Sequence, residues 1–143
     1  VARLTSTGAL GLAAVVALGC GKLHRECEAV VKTANAFIAE SARHRPSPNA
    51  PPEQAAREAL ETAARYDKLA SDLAAIGVQS DELRPEVERY ADLAVRSSAS
   101  LRAAAHSLET QHFEQARQKR VELDAAAKSE GPLVAKINSL CRK

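Results

Sequence analysis

The chain has 143 residues, the size of one ordinary domain, and 45% of them are hydrophobic while only 3% are aromatic. Twenty Lys and Arg face 18 Asp and Glu, a formal net charge of +2. That balance, with two Tyr, two Phe and no Trp, argues against a nucleic-acid surface, which needs a basic stripe and aromatic stacking platforms. The apolar fraction is mostly Ala with Leu and Val, mixed with Glu, Gln, Arg and Lys. These are the strong helix formers, so the predicted class is all-α. An Ala-rich core removes little apolar surface per contact, at roughly 25 cal/mol per Å², and such a bundle gains from an additional staple.

In chain order, the first feature is VARLTSTGALGLAAVVALGC, residues 1–20. One basic residue, Arg3, precedes an apolar run from about Ala9 to Leu18, followed by small residues. This is the order of an export signal, and the run falls short of the roughly 20 apolar residues that a membrane span needs. Its end, Ala17-Leu18-Gly19-Cys20, resembles the lipobox of bacterial lipoproteins at Gly19 and Cys20 and departs from the preferred order at Ala17 and Leu18. The resemblance implies a signal peptide over 1–19, a lipid-bearing Cys20 as first residue of the mature chain, and a domain over 20–143 held at a bacterial membrane, facing the periplasm or the exterior. A plain secretory signal and a retained N-terminal helix are the other readings of the same residues.

The first helix is expected at about 23–43, where Leu23, Cys27, Val30, Ala34, Phe37 and Ser41 step by four and three along one face. It ends at HRPSPNAPP, residues 44–52, whose four prolines impose an extended connector. A second helix is expected over about 53–76, opened by Pro52 and Glu53 and closed by Gly77, with Leu60, Ala63, Ala70, Leu73 and Ile76 inward. In the turn GVQSDELRP, Ser80 is the expected cap of a third helix over about 81–109. That helix carries the clearest register: Leu83, Val87, Tyr90, Ala94, Ser97, Leu101, Ala104 and Leu108. A fourth segment, about 111–142, places Phe113, Ala116, Arg120, Leu123, Ala127, Val134, Ile137 and Cys141 on a similar stripe. Its EGP at 130–132 predicts a kink or break near Gly131-Pro132, because proline removes a backbone donor and crowds the preceding turn. Four amphipathic helices joined mostly by short connectors predict an antiparallel up-down four-helix bundle.

In that topology the start of the first helix and the end of the fourth share one end of the bundle. Cys27 and Cys141 both fall on the apolar register, so a Cys27–Cys141 disulfide is expected in an exported chain, and two separate buried thiols are the alternative. With Cys20 assigned to the lipid, the three cysteines are accounted for.

Groups that carry chemistry are sparse. His24 and Cys27 form an H-x-x-C without a second ligand pair at metal spacing. His106 and His112 flank a turn, and no C-x-x-C-H, phosphate-binding glycine loop, G-x-S-x-G or H-E-x-x-H occurs. Arg120 and Glu130 interrupt the apolar stripe of the fourth helix, either as a polar contact within the bundle or as long side chains at its edge. No catalysis, metal, cofactor or small-molecule substrate is therefore expected. The expected role is binding or structural: a membrane-anchored accessory component of the cell envelope with a protein partner of unknown identity. A periplasmic ligand-binding or sensor module is the alternative.

Overall fold

The structure is a computed structural model that describes residues 13–47 and 49–142, with side chains from residue 21 onward. It is a helical bundle of four helices in chain order: α1 (Ala13–Arg43), α2 (Pro52–Ile76), α3 (Arg84–Glu109) and α4 (Phe113–Leu140). No strand occurs among the described residues. The signal-peptide expectation falls largely outside the described residues. Cys20 lies within the backbone of α1, but its side chain is outside them.

The helix limits follow from local chemistry. α2 begins with Pro52 in its first turn, where the missing N–H has no intrahelical partner to lose, and ends at Gly77. Gly77 adopts φ +64°, a left-handed conformation open to glycine, and its N–H bonds the Ala74 carbonyl at 3.2 Å. The α3–α4 turn reverses at Gln111, whose φ of +59° is strained for a residue with a side chain. Nothing in the composition of that turn signals the left-handed residue.

Two expectations about helix ends need correction. α3 starts at Arg84 rather than near Asp81, and Ser80 does not cap it through its side chain. Residues 81–83 form a turn instead, and the Arg84 N–H reaches the Ser80 carbonyl at 2.9 Å. The group that holds this connector is Glu26 of α1. Its two carboxylate oxygens each accept a backbone N–H, from Gln79 and from Ser80, at 3.1 Å. Glu26 is only 9% exposed, so this charge-assisted pair of bonds lies in a region where an unpaired carboxylate is costly. α4 is one helix from Phe113 to Leu140 with Pro132 inside it, so of the expected kink or break there is no break at residues 130–132.

The core is uneven along the bundle. Its main cluster takes Cys27, Val30 and Ala34 from α1, and Leu69, Ala70 and Leu73 from α2. Val78 and Leu83 of the connector join it, with Val87, Tyr90, Leu93 and Ala94 of α3 and Ile137 of α4. Tyr90, Leu73, Leu83 and Val30 are its largest fully buried side chains. Burial of each such aliphatic side chain contributes about 1.5–3 kcal/mol. The remaining halves of α2 and α3 bury only small residues: Ala56 and Ala63 on α2, and Ser97, Ser98, Ala104, Ala105 and Ser107 on α3. Ala56, Ala63 and Ala70 recur every seventh residue and form a narrow seam on α2 for close approach of α3, its most extensive partner.

α1 packs chiefly on α2, and its covalent tie is to α4. Cys27 and Cys141 form a disulfide with Cα atoms 5.4 Å apart and a sequence separation of 114. In the chain-entropy view, closing so long a loop restricts the unfolded chain by about 4–5 kcal/mol. The double variant Cys27→Ser/Cys141→Ser is expected to stay helical but to unfold at markedly lower urea concentration, with a loss of about 3–5 kcal/mol. Urea titration followed by circular dichroism measures this, and a midpoint equal to that of the oxidised chain would contradict it.

Candidate functional site

Three places in the described structure bring polar or charged side chains together with apolar surface. The first is the junction of α1, α2, α3 and α4 around two tyrosines. Phe37 of α1 and Tyr66 of α2 pack with ring centroids 4.9 Å apart and planes tilted by 51°. Beside them the Tyr90 hydroxyl of α3 donates to Glu130 of α4 at 3.0 Å. Glu130, a misfit on an apolar stripe, is thus a polar contact inside the bundle. Burial, and then the Glu130 charge, push both phenols above the ordinary tyrosine value. Neither phenol carries charge at neutral pH, and the Tyr90 hydroxyl is the neutral donor to the Glu130 carboxylate.

The second place is the outer side of α3 against α4. Glu86, on the first turn of α3, is covered by Lys136 of α4 at 2.6 Å and by Arg89 at 3.2 Å. The Lys136 hydrogen bond, followed by the Arg89 charge, holds its carboxyl below the usual range. Asp67 of α2 is likewise lowered by hydrogen bonds from Ser98 and Arg102 of α3. These contacts fix helix against helix, and each carboxylate is saturated by its partners.

The third place is a groove of about 490 Å³ built from the halves of the helices that the main core leaves out. The first half of α2 supplies Ala55, Glu58, Ala59 and Thr62; the second half of α3 supplies Leu101, Ala104 and Leu108. The first half of α4 supplies Phe113, Ala116, Arg117, Arg120 and Leu123, and Pro46, Ser47 and Ala50 of the proline-rich connector complete the lining. At this end the buried residues of α2 and α3 are alanine and serine, Leu101, Leu108 and Leu123 line the groove without closing it, and Ile137 is the one buried residue of α4 among those described. Phe113 remains 52% exposed in consequence. The connector is held over the rim by Glu58, whose Oε2 accepts the Ser47 N–H at 3.0 Å while its Oε1 accepts the Gln54 amide at 2.7 Å.

The residues singled out by the sequence separate cleanly. Cys27 and Cys141 are joined, as the register predicted. Arg120 is exposed on α4, where it lines the groove rather than the bundle interior. His24 is exposed, as are His106 and His112; the ring Nδ1 of His112 lies 2.8 Å from the Thr110 hydroxyl. Among the described residues no group of three or more His, Cys, Asp or Glu side chains is placed to hold a metal ion. No described helix is long and apolar enough to cross a membrane. Sequence reasoning missed Glu26, Glu58 and Glu86, whose partners are remote in sequence or on the backbone, and it missed the groove.

Compared with protein-family models, with curated proteins and with solved structures, the chain shows no match. Its functional reading therefore rests on its own residues.

The two tyrosines, with no Trp present, make the Tyr66–Tyr90–Glu130 cluster directly measurable by absorbance. Because the folded-state values are raised, the unfolded chain loses its phenolic protons first, and stability is intact below about pH 10 and falls as pH rises beyond it. In an alkaline titration, tyrosinate absorbance is expected to appear above pH 10 together with loss of helix; tyrosinate forming near pH 10 in a fully helical protein would contradict the burial of both hydroxyls.

Proposed function

We propose that the chain is a lipid-anchored component of a bacterial cell envelope, a small stapled bundle without catalytic activity that acts by binding. The observation that carries this reading is the pairing of cysteines. Cys27 and Cys141 are consumed by a disulfide that persists in an oxidising compartment, and Cys20, in its lipobox-like Ala17-Leu18-Gly19-Cys20 setting, remains for acylation. More than one acyl chain at Cys20 gives stable membrane attachment where one would be marginal, at about 0.8 kcal/mol per buried methylene.

In this reading the four helices run up and down in antiparallel order, so that the disulfide end lies next to the anchor. α4 bends near Gly131-Pro132 to follow its neighbours. From Cys20 to Arg43, α1 spans about 35 Å at 1.5 Å per residue. The groove beside residues 46–50 is then held away from the membrane to which Cys20 attaches, facing the periplasm or the exterior. The groove also favours a second reading, a periplasmic ligand-binding or sensor module, because it joins apolar walls to a few polar groups as ligand sites do.

Metabolic labelling with radioactive palmitate tests the anchor. The wild-type chain expressed in a bacterium is expected to incorporate label and to sediment with membranes, whereas Cys20→Ser remains unlabelled. Equal labelling of the two would overturn the proposal.

A further inference from the structure

We infer that the groove between α2, α3 and α4 binds one long-chain carboxylate, a free fatty acid anion, with its chain against the apolar walls and its headgroup at Arg120. Leu101 and Leu108 of α3 and Leu123 and Phe113 of α4 give those walls side chains long enough to follow an acyl chain. Ala59 of α2 leaves the space open.

Charge selects the headgroup. Glu58 is the acidic residue of the lining, and both of its oxygens are already engaged by Ser47 and Gln54. Arg117 shares its charge with Glu114 at 3.7 Å. Arg120 is in no ion pair among the described residues, and Glu58 is held by the neutral donors of Ser47 and Gln54 rather than by Arg120, so the Arg120 guanidinium beside the apolar trough is open to an added anion. A guanidinium fork donates two parallel hydrogen bonds to a carboxylate, which matches a single carboxylate headgroup.

Size selects the chain. A volume of about 490 Å³ lies within the range of small-molecule sites. The lipid proposed for Cys20 is not the occupant, because α1 separates it from this end by about 35 Å. The inference does not depend on Cys20 being acylated.

Isothermal titration of the full-length Cys20→Ser chain with palmitate below its micellar concentration tests it, with palmitate methyl ester as the uncharged comparison. One saturable site is expected. Arg120→Glu, at an exposed position that leaves the fold intact, weakens it at least tenfold, as does replacing the acid by the ester. Ala59→Trp fills the trough and abolishes the site, with circular dichroism reporting retained helix. Absence of saturable binding would overturn the inference. So would palmitate binding that is equal in wild type and Arg120→Glu, which locates it elsewhere in the chain, or binding restricted to phosphatidylglycerol vesicles, which makes the surface a membrane contact.

Discussion

The covalent link between Cys27 and Cys141 is the constraint on which the rest of the bundle depends. α1 rests chiefly on α2 and α4 chiefly on α3, so packing gives α1 and α4 little direct contact with each other. The disulfide joins these two helices where the large side chains gather. Glu26, one residue before Cys27, adds a second tie at the same place by accepting the N–H groups of Gln79 and Ser80. One turn of α1 thus holds both the end of α4 and the connector that leads into α3. The apolar cluster of Val30, Leu73, Leu83, Tyr90 and Ile137 forms around that turn.

Concentrating the large residues at one end leaves the other end to alanine and serine. Small side chains let α2 and α3 approach closely, but they provide no knobs for α4 to cover. The result is a groove with Phe113 half exposed and Arg120 unpaired among the described residues, next to a connector pinned by Glu58. Stability and binding surface are divided between the two halves of the same helices.

How far the amino-acid order reveals this depends on the size of the side chains that carry each register. In α1 and α3 the four-three stepping of Leu23, Cys27, Val30 and of Leu83, Val87, Tyr90 is marked by large apolar residues, and those positions are buried or half-buried. In α2 Ala63, Ala70 and Leu73 are buried and Ile76 half-buried as the register has them, whereas Leu60 is 38% exposed and Ala56 and Leu69 are the inward residues it passed over, Ala56 because a buried alanine scarcely differs in sequence from a surface one. In α4 the stripe lies at Ala126, Glu130, Leu133 and Ile137; Ala127 and Arg120 are exposed, and Glu130 takes an inward position because Tyr90 supplies its hydrogen bond. A carboxylate placed inward for a partner 40 residues away has no local signature. The disulfide was legible because cysteine is rare and its register explicit; the groove was not, because it is defined by volume that side chains fail to fill.

Residue-resolved amide hydrogen exchange on the oxidised chain tests the central claim of a bundle stabilised from its disulfide end. The slowest exchange is expected at Val30, Leu73, Val87 and Ile137, which open only on global unfolding. Amides near Ala104 to Leu108 and across the first turns of α4 are expected to exchange through local opening at a lower free-energy cost. Uniform protection along all four helices, or slower exchange at the groove than around Cys27 and Cys141, would contradict the account.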